Sequence, residues 1–362
     1  MVLPPPPSAG KVRKHLSADA LYALIREGFG AIPDHRRLTS IIPLTDALMS
    51  AFAMFCLKDP SLLAFEQRRS DGNLKALFGI GRIPCDTQMR EILDPLDPEC
   101  LRPLLGAVFR QLQRGKALEP FEFYDGCYLP ALDGTGCFSS QKVHGPSCQV
   151  KEHKNGVVTC EHQMLAAVIV HPDLKEVIPL APEPIQKQDG SAKNDCERNA
   201  ARRLLRKISN QDLRVNFLEY RGYDARGNCR KHFTWITDLH ITRRNAWLLA
   251  RGGRARWRIE NETFNTLKNQ GYHYEHNYGH GRQNLSAVFA MPMMLAFLVD
   301  QTQQLCCGLF RAVWEKPGSK RALWDNLRSH FRHFRFRSMR HLYEAILYDL
   351  GKEVPLPVPD TS

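Results

Sequence analysis

Apolar residues recur at spacings of three and four through ADALYALIREGF, Ala18 to Phe29, and more densely through TDALMSAFAMFCL, Thr45 to Leu57. The first pattern predicts an amphipathic helix and the second a helix buried on most sides. PDHRR, Pro33 to Arg37, and KDPS, Lys58 to Ser61, interrupt them. DTQMREILDPLDPECLRPLLGAVFRQL opens on Asp86, a fitting N-cap, and its prolines divide it into short helices. Residues 15–120 therefore read as an all-helical, arginine-rich domain, preceded by a Pro-rich tail at 1–14.

The pattern changes near Phe121. YLPALD, Tyr128 to Asp133, is a short apolar run ending in an acid, while QMLAAVIVHP and EVIPLAPEP are β-branched and broken by turn residues, as strands of one sheet would be. NDCERNAARRLLRKI supplies a helix with Asn194 or Asp195 as N-cap and Leu204, Leu205 and Ile208 on one side. Two further strands flank DARGN, a turn rich in Gly, Asp and Asn. Residues 121–283 thus form an α/β unit, 284–350 a basic helical region, and 351–362 a second tail. AVFAMPMMLAFLV, Ala287 to Val299, predicts a buried core helix, because this apolar run is shorter than the roughly 20 residues a bilayer span requires.

Composition sharpens this picture in two ways. The 362 residues carry 50 Lys and Arg against 38 Asp and Glu, a formal charge of +12, which points to a polyanionic partner through counterion release. Eleven irregularly spaced cysteines, with no secretory segment, read as reduced thiols of a cytoplasmic protein without a membrane role.

Two segments could carry chemistry. In LDGTG, Leu132 to Gly136, an acid placed at a strand end would face the crevice where α/β folds hold ligands, with glycines permitting close approach. Its plain alternative is a turn or helix cap. In RARWRIENETFNTLKNQGYHYEHNYGHG, Arg254 to Gly281, a regular helix sets Arg256 and Glu260 one turn apart, pairs Arg258 with Glu262 on another face, and puts Lys268 roughly 80° around the axis from Glu260. The plain alternative here is a solvated helix with ion pairs worth only about 0.3–0.5 kcal/mol each.

LDGTG and RWRIENETFNTLKNQGYHYEHNYGHG resemble the first-Asp and Glu-helix motifs of DDE transposases from bacterial insertion sequences. HQMLAAVIVHPDLKEVIPLAPEPIQKQDG and NDCERNAARRLL are similar to that family as well. The resemblance implies an RNase H-like mixed sheet with flanking helices and a β insertion, between a helical DNA-binding domain at 15–120 and a basic helical C-terminal region at 284–350. It further implies a bacterial, nucleoid-associated homo-oligomer that cuts double-stranded DNA at transposon ends and joins it to a target. In such enzymes three carboxylates hold two Mg²⁺ ions. Asp133 would be the first ligand and Glu260 the last, with Arg256, Arg258 and Lys268 on DNA. Family members commonly place a Lys seven positions after the Glu; Lys268 is eight from Glu260 and six from Glu262, and Glu260 is preferred.

The chain departs from the family at the second Asp. No apolar strand ending in Asp-Gly lies between NDCERNAARRLL and LRVNFLEY, as though an internal deletion had removed a core strand with its ligand. Asp195, Asp224 and Asp238 are the candidate replacements. With two carboxylates alone, strand transfer would be slow or absent, so the rival expectation is a catalytically dead remnant that recognises transposon ends.

Two further signals stand apart from that motif. His144, Cys148, His153, Cys160 and His162 crowd one stretch, and a zinc site at His144, Cys148, Cys160 and His162 competes there with a plain polar hairpin. Gly145 stands where relatives often carry the first cysteine of a Cys-x-x-Cys pair. Arg311 to Arg340 holds nine Lys or Arg against two acids, interleaved with Phe331, Phe334 and Phe336, a composition suited to nucleic acid.

Overall fold

A computed structural model describes residues 13–37, 39–142, 148–185, 196–208, 216–223, 229–237, 239–276, 278–279 and 281–348. The elements run α1 (Ala18–Gly30), α2 (Leu44–Leu57), α3 (Leu62–Glu66), α4 (Gly72–Phe78), α5 (Asp86–Leu93), α6 (Arg102–Arg114), β1 (Leu129–Ser140), β2 (Gln149–Glu152), β3 (Val158–Val170), β4 (Ile178–Pro179), β5 (Glu183–Ile185) and α7 (Glu197–Ile208). They continue with β6 (Asn216–Tyr223), β7 (Cys229–Thr237), α8 (Ala246–Arg254), a π-helical turn at Ile259–Phe264, α9 (Asn265–Asn269), α10 (Leu285–Cys306), α11 (Gly308–Glu315), α12 (Lys320–His333) and α13 (Met339–Leu347).

The axis of the molecule is α10. It has 22 residues, longer than its apolar run suggests, and would be long and apolar enough to span a membrane, but its hydrophobic stretch is 100% buried inside the protein. Helices α1, α2, α5 and α6 from the first third of the chain and α11 from the last pack around it. Residues from Leu16 to Ile346 consequently share one core. Pro292 lies within α10 and removes the hydrogen bond that would run to Val288. At the C-terminal half, polar side chains replace apolar ones as staples: Gln301 Oε1 accepts from Val177 N at 3.1 Å, and Gln303 Nε2 donates to Leu16 O at 2.9 Å.

The sheet is built on β3, which pairs with β1 on one side and with β2, β4 and β5 on the other. Met164, Ala166 and Val168 face the main core, while Leu165 and Ala167 face Ala200 and Leu204 of α7. Covering both faces explains why QMLAAVIV is continuously apolar and not alternating. A mixed sheet was expected; every described pairing is antiparallel. Among the described residues β1 is an edge strand, so no parallel neighbour exists to make the sheet mixed. The strands predicted around DARGN form the antiparallel pair β6–β7.

Local chemistry shifts two boundaries. Asp86 was expected to cap α5; Cys85 does so, in a capping box with Gln88, and Asp86 pairs instead with Arg90 within the helix. Lys58, read as part of a break, adopts φ 56° at the end of α2 and is buried. Its Nζ lies 2.7 Å from Asp300 Oδ2 and over the rings of Tyr272 and Trp324.

Candidate functional site

Asp133 is not at a strand end. It pairs with Ala166 in the middle of β1, which runs on through both glycines of LDGTG to Ser140. Gly134 and Gly136 stay in register opposite Leu165 and Gln163. Gly134 does permit a close approach, but by a side chain of this chain: a Cβ there would stand 2.5 Å from Glu197 Cδ. Since neighbouring residues of a strand face opposite ways, Glu197 lies across the sheet from Asp133.

On the Asp133 face the partner is Arg256, whose guanidinium approaches the Asp133 carboxylate to 3.3 Å. Arg256 is half exposed, at 53%, and Asp133 is 21% exposed, so the pair is open to solvent. The π-helical turn Ile259–Phe264 packs against both β1 and β3. Glu260 is the second residue of that turn and is exposed. The two carboxylates proposed from sequence therefore come from elements in contact, although they are 127 positions apart.

The π turn also alters the spacing along the helix. Each of its residues advances about 80–85° around the axis instead of 100°. Four such steps from Glu260 to Phe264 cancel most of the 80° offset expected in a regular helix, bringing Lys268 back towards the face of Glu260. One extra residue in the turn accounts for a spacing of eight where an unbroken α-helix would use seven. Glu262 differs in outlook: it acts electrostatically on Lys320 at the start of α12.

The other predicted DNA contacts take different positions. Arg258 is buried, and its Nη2 donates to Pro172 O at 2.6 Å, tying the Glu-bearing segment to the turn after β3. Lys268 pairs with Glu275 at 3.0 Å. The tyrosines in and just before HYEHNYGHG line the core: Tyr272, Tyr274 and Tyr278 are buried, and burial pushes His273 and His276 below the ordinary imidazole range, keeping both neutral near pH 7. Tyr274 lies against Cys137 of β1, whose thiol burial pushes up to about 12. Asp195, Asp224 and Asp238 lie outside the described residues, as does His144.

Two of the four residues weighed as a zinc site, Cys148 and His162, contact each other. Cys148 Sγ lies 3.3 Å from His162 Nε2, and His162 Nδ1 lies 3.0 Å from Ser286 Oγ at the start of α10. Both ring nitrogens thus have protein partners, which joins the β2–β3 hairpin to the central helix. No disulfide forms among the described cysteines. Among the described residues no three of His, Cys, Asp and Glu gather as a metal-binding group.

Of the three interleaved phenylalanines, Phe331 and Phe336 belong to the core and only Phe334 is exposed. Sequence could not separate them, because α12 ends at His333 and the turn after it reverses which residues point inwards. The π turn was also missed; its one signal was the eight-residue interval to Lys268.

No known protein family, curated protein or solved structure matches this chain.

Proposed function

We propose that the chain is a DDE-type transposase with an RNase H-like core, which cuts and joins double-stranded DNA at the ends of an insertion sequence. The observation that carries this reading is the Arg256–Asp133 contact, which sets a phosphate-binding cation and a carboxylate side by side where the Glu260 turn packs on β1. A sheet covered by α7 on one face supports the RNase H-like part, although its described pairings are all antiparallel where the family's sheet is mixed. The second edge of β1, without a strand partner among the described residues, is where a further core strand with the second Asp would pair.

The donor chemistry fits a hard cation. Carboxylates such as those of Asp133 and Glu260 suit Mg²⁺, which keeps several waters and takes its remaining ligands from phosphate. Among the described residues no third acid joins them, so the fit extends to one ion and not to a complete two-metal site. A bound Mg²⁺ would supply Lewis-acid activation at the scissile phosphate. The chain's own residues bind and orient that phosphate: Arg256 by charge and hydrogen bonds, Lys268 further along the strand once it leaves Glu275.

The test is nicking of insertion-end duplex by purified protein with Mg²⁺ or Mn²⁺. Wild type should nick, and Asp133→Ala and Glu260→Ala should not. Specific binding of the ends with no nicking at any metal concentration would instead establish the second reading, a remnant that recognises ends without cutting. That reading is favoured by the absence, among the described residues, of a third acid grouped with Asp133 and Glu260.

A further inference from the structure

Between α3–α4 and the C-terminal half of α12 lies a half-open cavity of about 570 Å³, remote in sequence from both Asp133 and Glu260. Four arginines, Arg68, Arg328, Arg332 and Arg335, face two carboxylates, Asp59 and Asp71. The pairing is uneven. Arg68 clasps Asp59 through two bonds of 2.7 and 2.8 Å, and Arg328 is held by Asp325 and by the carbonyls of Leu57 and Lys58. Arg335 reaches Asp71 only at 3.4 Å and is 69% exposed. Arg332 and the adjacent His333 are exposed, with no acidic partner among the described residues.

The wall of the cleft is fixed. Asn73 Nδ2 donates to Phe331 O and Phe334 O, both at 2.6 Å, and Asn73 Oδ1 accepts from Phe336 N at 2.9 Å. These bonds lock the end of α12 and its following turn onto α4, so the cations are presented by a rigid frame. Asp71 meanwhile leaves Oδ2 buried without a hydrogen-bond partner. Burial raises its carboxyl above the ordinary range, against the lowering influence of its hydrogen bond from Asn73 N and of Arg68 and Arg335.

We propose that this cleft binds the phosphate backbone of DNA at a second place, apart from the Asp133–Glu260 site. The choice of DNA over other polyanions rests on the transposase reading; the excess of cations rests on the cleft alone. Its half-open form leaves the cations accessible to a backbone from solvent. Helix α12 connects the two places. Its first turns lie beside the Glu-bearing segment, with Trp324 donating to Gln270 O at 2.9 Å, and its last turn forms the cleft. Fourteen residues at 1.5 Å each span about 20 Å.

The test is fluorescence anisotropy of a labelled 30-base-pair duplex over a salt series, with Arg332→Gln/His333→Gln, Arg332→Lys and, as a charge control, Arg114→Gln at the exposed C-terminal end of α6. The double variant should lose affinity about tenfold and flatten the salt slope by about one, while Arg332→Lys keeps the slope and Arg114→Gln binds as wild type does. Wild-type affinity and slope in the double variant would overturn the proposal. So would inorganic pyrophosphate that binds wild type but not the double variant while duplex affinity stays equal, since the cleft would then take small phosphates only. Nicking assays on the same proteins keep the two ideas apart. Duplex binding through the cleft without nicking leaves this inference standing and removes the enzymatic reading; nicking with an unaltered double variant does the reverse.

Discussion

Arg256 holds the Asp133 carboxylate at 3.3 Å, across a contact between a helix start and a mid-strand position 123 residues earlier. An arginine this close to an acid is both a partner and a competitor: it stabilises the carboxylate, and it occupies the side from which a cation would approach.

The pair is open to water, so its contribution to stability is at most about 1 kcal/mol. Arg256→Gln should therefore move the melting temperature by no more than about 3 °C. The same substitution should tighten Mn²⁺ binding, measured by calorimetry, because Asp133 is released. If Mn²⁺ affinity falls instead, Arg256 does not compete for that carboxylate.

Lys58 and Asp300 make the opposite kind of pair, with side chains 0% and 8% exposed. Removing one member strands the other as a buried charge, at a cost of about 3–5 kcal/mol. Lys58→Met should unfold at distinctly lower urea concentration, whereas Lys58→Met with Asp300→Leu should recover most of the loss. Additive losses in the double variant would show that the two side chains do not depend on each other.

Gly134→Ala pushes a methyl group into the Glu197 side chain, where nothing but the flexible end of that side chain can yield. Because Glu197 is exposed and can swing aside, the expected cost is below about 1 kcal/mol, and Glu197→Ala in the same chain should remove it. Urea unfolding of the three variants reads the coupling directly; a cost that Glu197→Ala leaves untouched would mean that β1 itself rejects the side chain.

Glu183 is buried between β5 and α7 and receives Arg102, Arg203 and Lys207 at 2.9, 3.0 and 2.8 Å. Glu99 shares two of these cations. Its hydrogen bond from Arg102, aided by Lys207 and opposed by partial burial, holds its carboxyl down at about 2. A folded value below the unfolded one means stability that is complete above the ordinary carboxylate range and lost as pH falls towards 2. Between pH 5 and 2 the wild type should lose its advantage over Glu99→Gln in urea midpoint. A constant gap across that window would exclude the linkage.

How much of this was legible in advance depends on whether the cause was local. Helix α10 and the β6–β7 pair follow from uninterrupted apolar runs and a Gly-rich turn, and structure adds only length. The LDGTG glycines misled, because glycine next to an acid looks like a strand end unless the strand opposite is known. Asp133 stays within the ladder through its pairing with Ala166 on β3, and that partner lies 33 residues further on.

The sequence by itself determined which residues carry charge, which stretches are apolar enough to be buried, and the Arg-x-x-x-Glu spacing that sets Arg256 one turn before Glu260. Those depend on side-chain chemistry and on helix or strand period, both properties of short segments. Only the tertiary structure decided that Arg258 turns inward to Pro172 while Arg256 meets Asp133, that the helix widens into a π turn beside β1, and that Lys58 is sealed against Asp300. Each depends on what stands opposite in space, because burial makes an unpaired charge or polar group costly and leaves it one affordable orientation, towards its partner.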